Sequence, residues 1–361
     1  MGSNDVPSVV NPLHHSIVEK IDPVFAEIYN RYQAPQLRAD QVPYEVYNKD
    51  RVKYTFPTAK VSAESPEVAS NTIYKIPVSN PSGEIAIQVY VPTPDAISSA
   101  GLERERLLPA LVNFHGGGFV IGDLGSDETL CRTLCQRVSS IVVNVDYRLA
   151  PEYPHPISVT DSWEALKWTF ENAEKLKIDP SRVGVSGLSA GACIAAALAL
   201  LSRDEPSQPN LVVQLLIVPV IDARYIPTKG SCDPAKTPYK SYIDFEFAPM
   251  LPLNRLIWFY NLWLGTDESR AEKANDIRAS PIVADSHANL APAIIRCAEI
   301  DPLVSEGAAY HEKLTAAGTP SKLKIYKGQG HPFGHWDGAS PTAKEFINDC
   351  VDELKAAFSK N

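Results

Sequence analysis

Three residues whose side chains can together carry out nucleophilic catalysis occur along this chain in the order Ser189, Asp301, His331. Ser189 is the centre of the segment 187–191, which has the pattern G-x-S-x-G. A serine hydroxyl needs a neutral imidazole to accept its proton, and the imidazole needs a carboxylate to fix its tautomer. The residue types predict acyl transfer through Ser189 as nucleophile, with His331 as base and Asp301 as the orienting acid.

A run of three glycines, 116–118, directly follows His115 at the end of a predicted strand. Because glycine lacks a side chain, its backbone N–H can turn toward a ligand without obstruction. A helix that begins just after Ser189 would aim its free N–H groups at the same place. We therefore predict that the N–H groups of Gly116, Gly117 and Ala190 hold the oxyanion formed when the serine attacks.

A second histidine, His335, lies four residues after His331 and stays open as an alternative base, since both follow the same predicted strand. The H-x-x-x-H spacing also occurs in helical zinc sites. Here Pro332 and Gly334 oppose a helix, and no glutamate follows the first histidine. The sequence therefore predicts no metal site, and the chemistry assigned to the triad needs no cofactor.

Alternating strands and helices must position these groups. Continuous apolar strands that alternate with amphipathic helices predict a mostly parallel sheet covered on both faces, with an antiparallel start at 73–91. Residues 1–61 and the aromatic-rich stretch 222–279 interrupt the alternation. Such an insertion is typical of a lid over a pocket, and an ordinary packing subdomain is the alternative. The main predicted elements are strands at 110–115, 140–147, 182–187, 211–220, 293–300 and 322–328, and helices at 23–32, 126–138, 159–173, 190–202, 303–317 and 342–358.

Five motifs occur in succession: HGGGF at 115–119, YRLAPE at 147–152, G-x-S-A-G at 187–191, DPL at 301–303 and HPF at 331–333. In this order they resemble the hormone-sensitive-lipase family of esterases, within the α/β-hydrolase superfamily. The resemblance implies an eight-stranded α/β-hydrolase fold and the same triad and oxyanion donors. It also implies a helical cap formed by 1–61 and 222–279, on a catalytic core formed by 62–221 and 280–361.

Two positions depart from the pattern of that family. The family usually has Asp or Thr before the nucleophile, where this chain has Leu188, and often a second Asp after DPL, where this chain has Ser305. Neither departure touches a triad member, so they bear on substrate choice. Phe119 and Leu188, beside the predicted oxyanion site, are candidates for the substrate-binding wall.

The expected substrate is a small to medium carboxylic ester, cleaved through an acyl-enzyme. The same triad is compatible with amide hydrolysis, acyl transfer or a non-hydrolytic biosynthetic step, because a triad does not choose the second nucleophile. A further alternative is that the protein is not an enzyme but an inactive small-molecule binding protein with this fold, and the intact triad argues against it.

Composition limits the partners. With 34 Lys+Arg against 43 Asp+Glu, the net charge of −9 argues against nucleic acid or an anionic membrane as the main partner. The longest apolar run, 211–221, is too short to span a bilayer. The N-terminus lacks the pattern of a signal peptide, and the six cysteines are scattered, so we expect a cytoplasmic protein. A homodimer is compatible with the sequence.

Overall fold

A single twisted sheet forms the centre of the molecule in the computed structural model, which describes residues 9–101, 107–207 and 211–359. Residues 1–8 of the first predicted cap segment therefore lie outside the described residues. Within the described ranges, the sheet has eight strands in the order β1-β2-β4-β3-β5-β6-β7-β8. The strands are β1 (Ser70–Ser79), β2 (Ser82–Val91), β3 (Leu108–Phe114), β4 (Ile141–Asp146), β5 (Ile178–Leu188), β6 (Gln214–Ile217), β7 (Ala293–Ile300) and β8 (Ser321–Gly330).

The direction of the strands confirms the predicted architecture. β2 pairs antiparallel with both β1 and β4, and the remaining neighbours pair in parallel. Every residue of β3 is buried, as expected for a strand covered by helices on both faces. β5 lies between β3 and β6, and this central place puts its carboxyl end, with Ser189 just beyond it, in the middle of the sheet edge.

Helices cover both faces of the sheet and extend beyond its carboxyl edge. The most deeply buried is the one that follows Ser189, in which alanine predominates and allows close approach to the strands. Over the described residues the α-helices are α1 (His15–Val18), α2 (Pro23–Tyr32), α3 (Tyr44–Lys49), α4 (Pro94–Ser99), α5 (Glu128–Val138), α6 (Ile157–Glu171), α7 (Ala173–Leu176), α8 (Ala190–Asp204), α9 (Ser241–Asp244), α10 (Leu253–Leu264), α11 (Arg270–Ala274), α12 (Val304–Ala316) and α13 (Pro341–Phe358). None of them has the length and apolar character needed to cross a bilayer.

The two stretches outside the strand–helix alternation pack against each other. Tyr47 of α3 meets Trp258 of α10 edge to face, with ring centroids 6.2 Å apart. The Arg255 guanidinium of α10 lies 3.5 Å from the Asp40 carboxylate, and both side chains are almost completely buried. The N-terminal stretch also contacts the loop after β4, since Tyr44 Oη donates to Glu152 of the YRLAPE motif at 2.9 Å.

One predicted strand is shorter than its apolar run. The run 211–220 predicts a long strand, but β6 covers only Gln214–Ile217. Val218 has a left-handed backbone with φ 42°, and Pro219 follows it with no N–H to donate to a neighbouring strand. The chain therefore leaves the sheet at the level of Ser189, and Val220 N donates to Ser189 O at 3.3 Å.

Candidate active site

Ser189 lies on the sharp turn between β5 and α8. Its backbone has φ 57° and ψ −113°, a combination that non-glycine residues rarely adopt and that costs free energy. Neighbouring glycines make the turn feasible. A Cβ on Gly187 would lie 2.2 Å from the backbone of Gly191, and a Cβ on Gly191 would lie 1.9 Å from Phe114 O. Both glycines are therefore required by close backbone approach, as the G-x-S-x-G pattern predicts.

Asp301 and His331 meet as a pair at the ends of β7 and β8. His331 Nδ1 lies 2.8 Å from Asp301 Oδ2, and both side chains are buried. Because a carboxylate can only accept, Nδ1 is the protonated nitrogen, which leaves Nε2 free to take a proton. The second carboxylate oxygen, Asp301 Oδ1, accepts from Leu303 N at 2.9 Å and so holds the carboxylate in place.

Ser189 and His331 both line one cavity of about 710 Å³. Among the hydrogen bonds between described residues, none joins Ser189 Oγ to the imidazole of His331. Hydrogen bonds between catalytic groups are often long or poorly aligned before substrate binds, so the missing contact does not argue against the predicted pairing. The structure thus brings the predicted nucleophile and the predicted base to the wall of the same cavity, with Asp301 behind His331.

The glycine run forms a tight turn beside the serine. Gly117 has φ 123°, and a Cβ there would lie 2.0 Å from Ile121 O, so only glycine fits. Two hydrogen bonds brace the turn. Tyr147 Oη donates to His115 O at 2.7 Å, and His115 Nδ1 donates to Gly116 O at 2.8 Å. Gly116, Gly117 and Gly118 all contribute to the wall of the cavity, as does Ser189.

The predicted wall residues Leu188 and Phe119 both contribute to the cavity surface, although each is almost fully buried. Phe119 stacks on Trp263 of α10, with ring centroids 3.6 Å apart. α10 also reaches the glycine run, because the position of a Cβ on Gly118 lies 2.3 Å from the ring of Phe259. The stretch 222–279 therefore packs directly on the turn that carries the predicted oxyanion donors.

Comparison with known proteins identifies the family. A family model described as the alpha/beta hydrolase fold matches residues 111–335, which is more than half of the chain. The chain belongs to this family. An AB hydrolase superfamily protein of Schizosaccharomyces pombe is 34% identical over 99% of this chain and all of its own length. Carboxylesterase NlhH of Mycobacterium tuberculosis is 36% identical over 70% of this chain and 74% of its own.

Solved structures agree with this family assignment and with the predicted resemblance to hormone-sensitive-lipase-type esterases. An ester-hydrolase from the metagenome of Lake Arreo superposes with a TM-score of 0.80 at 28% identity, covering 94% of this chain and all of its own. The thermostable carboxylesterase EstE1, cloned from a metagenomic library, gives a TM-score of 0.73 at 31% identity, over 88% of this chain and 96% of its own. The predicted α/β-hydrolase fold is thereby confirmed.

The remaining histidines have other partners. His335, left open as an alternative base, also lines the cavity, but its Nε2 lies 3.0 Å from Asp127 Oδ1. His311 Nδ1 contacts Ser321 Oγ at 2.9 Å, and neither residue lines the cavity. Of the two histidines after β8, His331 alone pairs with Asp301, among the ion pairs that the described residues make.

One residue of the cavity wall was not assigned a role at the site by the sequence. Ser and Asp are both favoured as N-caps, so the sequence allows either Ser126 or Asp127 to begin this helix, and Asp127 occupies the N-cap position of α5. Its side chain makes no capping hydrogen bond and is 1% exposed. The absence of a capping role is not visible in sequence, since Ser or Asp before an apolar-periodic run normally signals a cap.

A buried carboxyl group links the core to the stretch 222–279. Glu306 of α12 accepts hydrogen bonds from Ile221 N and Asp222 N, both at 2.7 Å, and is fully buried. Desolvation dominates over these donors and raises the pKa of Glu306 to about 8. Glu306 thus anchors the start of the insertion just after β6.

Proposed function

We propose that the protein is a serine carboxylesterase. The observation that carries the proposal is the 2.8 Å contact of His331 with Asp301, together with the position of His331 on the wall of the cavity that Ser189 also lines from its strained turn. Further support comes from the relatives, which include a carboxylesterase of Mycobacterium tuberculosis and an ethyl acetate hydrolase of Pseudomonas putida.

The proposed reaction proceeds through an acyl-enzyme. Ser189 Oγ attacks the ester carbonyl while His331 Nε2 accepts its proton, and Asp301 stabilises the imidazolium that forms. His331 then gives the proton to the leaving alcohol oxygen. In the second half, His331 takes a proton from water, which attacks the acyl carbon and releases the acid and Ser189. No step uses a metal ion or a cofactor.

The oxyanion is held, in this proposal, by the N–H groups of Gly116, Gly117 and Ala190. Ala190 is the first residue of α8, so its N–H is one of the helix donors without an intrahelical acceptor. The positive end of the helix dipole acts at the same point. Loss of one such donor typically lowers the rate by a factor of about 10² to 10³.

We assign residues 9–61 and 222–279 to a cap on the core formed by 62–221 and 280–361. Support comes from the cavity, whose wall includes Tyr47 and Phe56 from the first stretch and Leu256 and Phe259 from the second. A cavity of about 710 Å³ lined by apolar cap residues, Ser189 and His331 suits small to medium esters, because pockets of this size enclose most of a small ligand.

The test is replacement of Ser189 by alanine. We expect Ser189→Ala to abolish hydrolysis of p-nitrophenyl butyrate and labelling by a fluorophosphonate probe, with an unchanged circular dichroism spectrum. Ser202→Ala is the matched control, because Ser202 lies buried on the same helix and away from the cavity wall. Full activity of Ser189→Ala would overturn the assignment of the nucleophile, and absence of labelling in the unmodified protein would favour an inactive binding protein.

A further inference from the structure

Besides His331 and Asp301, the structure has a second pair of histidine and carboxylate, and both of its residues line the cavity. His335 Nε2 is 3.0 Å from Asp127 Oδ1, and both residues line the cavity. The separation is that of a hydrogen bond, but the angles are not, so each of these buried atoms lacks an aligned partner among the described residues. Unpaired buried polar atoms cost stability, and such a pair therefore needs an explanation.

The side chain of Asp127 lies next to His335 and does not cap its helix. At the N-cap position of an eleven-residue helix, an aspartate normally accepts a hydrogen bond from the first turn, which stabilises the helix. Asp127 makes no such bond. Its other oxygen, Oδ2, has only a long contact of 3.4 Å from Asn113 Nδ2. The orientation of this side chain is therefore explained by the cavity and not by the helix.

The carboxylate of Asp127 has no strong cationic partner in the described part of the chain. The next acidic residue, Glu128, forms an ion pair with Arg132 at 2.8 Å, so that arginine is paired with Glu128 and not with Asp127. Asp127 is 1% exposed, and within the described residues its side chain makes an ion-pair contact with His335 alone. A carboxylate oxygen 3.0 Å from Nε2 favours the tautomer with its hydrogen on Nε2, although that N–H is not aligned for a hydrogen bond, and Nδ1 of His335 is then an acceptor.

The position of His335 relative to His331 indicates which part of an ester it would meet. His335 belongs to the short helical turn Phe333–Trp336, which directly follows His331. The turn is held in place because Ser62 Oγ donates to His335 O at 2.7 Å. His331 delivers its proton to the leaving oxygen, so the leaving alcohol lies on this side of the cavity.

We propose that Asp127 and His335 form a subsite for a hydroxyl group on the leaving alcohol, so that esters of diols or polyols are preferred over esters of simple alcohols. This inference rests on the proposed esterase function. The hydroxyl donates its hydrogen to His335 Nδ1, and the Asp127 carboxylate, 3.0 Å from Nε2, favours the tautomer in which Nδ1 accepts. The buried carboxylate disfavours an anionic alcohol portion at the same place.

The experiment compares kcat/KM for 3-hydroxypropyl butyrate with that for propyl butyrate. The two esters share an acyl group and differ by one hydroxyl. The variants are His335→Phe, which keeps a ring without nitrogens, and Asp127→Ala, which removes no capping bond. His15→Phe is the control, because His15 is exposed on α1. We expect the ratio of the two kcat/KM values to fall about tenfold in His335→Phe and in Asp127→Ala, the effect of one hydrogen bond, and to keep its original value in His15→Phe.

An unchanged ratio in His335→Phe would overturn the subsite, and so would an unmodified protein that does not distinguish the two esters. If one of the two variants does not fold, as judged by thermal unfolding, the other decides. A ratio of propyl 3-hydroxybutyrate to propyl butyrate that changes in His335→Phe would overturn the assignment to the leaving alcohol. Failure of the proposed function is distinguishable, because neither ester would then be hydrolysed at all.

Discussion

Gly116 leaves no room for a side chain, and this allows a sharp test of the oxyanion turn. A Cβ on Gly116 would lie 2.5 Å from Leu188 Cδ2 and 3.1 Å from Leu188 O. Its backbone is not in the left-handed region, so Gly116→Ala introduces a steric conflict without a conformational one. The residue that it meets is Leu188, one of the two departures from the family pattern, directly before the proposed nucleophile.

The size of the effect follows from these two distances. Carbon atoms prefer a separation of about 3.5 to 4.0 Å, so the turn or the leucine must move by about 1 Å. Leu188 is buried, which limits its freedom to give way. A displacement of about 1 Å at reacting groups lowers a rate by about 10²-fold, and we expect that loss of kcat/KM in Gly116→Ala. It corresponds to about 2.7 kcal/mol of transition-state stabilisation.

The double variant Gly116→Ala/Leu188→Ala isolates the cause. Without Leu188 Cδ2, the remaining contact is the one of 3.1 Å with Leu188 O, which a shift of a few tenths of an ångström relieves. We expect the double variant to recover about tenfold of the lost kcat/KM, measured with p-nitrophenyl butyrate for the four members of the cycle, since neighbouring residues couple non-additively.

Strictly additive losses in this cycle would refute the steric reasoning, because they would show that Leu188 does not mediate the effect of the new methyl group. Full activity of Gly116→Ala would refute the placement of the oxyanion donor itself. Thermal unfolding of each variant separates these outcomes from a general loss of structure.

Two predictions concern stability. Gly191→Ala places a Cβ 1.9 Å from Phe114 O, a backbone atom that cannot move aside, so we expect a loss of about 3 kcal/mol in the free energy of unfolding by urea. Gly83→Ala, whose Cβ meets nothing closer than 3.4 Å, is the control, and equal losses would contradict the reasoning. Glu306 keeps its proton in the folded protein up to a pKa of about 8, while the unfolded chain loses it near 4.5. The unfolded state therefore binds fewer protons in this range, and the stability of the unmodified protein should fall from about pH 5 to about pH 8 relative to Glu306→Gln, by an amount on the order of a few kcal/mol. The same pH dependence of the free energy of unfolding in both proteins across this range would contradict the burial argument.

Much of the fold was predictable because the helices and strands are locally encoded. The helix at 23–32 and the strand at 293–300 have the predicted bounds, since a proline after an acidic cap and a short, mostly apolar run are local signals. The predicted strand at 211–220 was wrong at its carboxyl end. There the direction of the chain is set by the left-handed backbone of Val218, and nothing in an apolar run signals such a turn.

The approach of His331 to Asp301, beside the cavity that Ser189 lines, was predictable, and the surroundings of these residues were not. Ser189, Asp301 and His331 each follow a predicted parallel strand. This was sufficient to expect their side chains to lie near one another, because parallel strands end at the same edge of the sheet. The contact between His335 and Asp127 was not predictable. It joins residues from two distant connections, and its orientation depends on packing around both.

The sequence by itself determined the sharp turn at Ser189, since the two glycines of G-x-S-x-G, one on either side of the serine, allow the backbone approach that the turn needs. It also determined the alternation of elements, because hydrophobic periodicity is a local property of the chain. Only the tertiary structure decided which histidine meets Asp301, how α10 closes on the glycine run, and what lines the cavity. These features depend on contacts between segments far apart in the chain, where side-chain packing selects one arrangement among those that local signals permit.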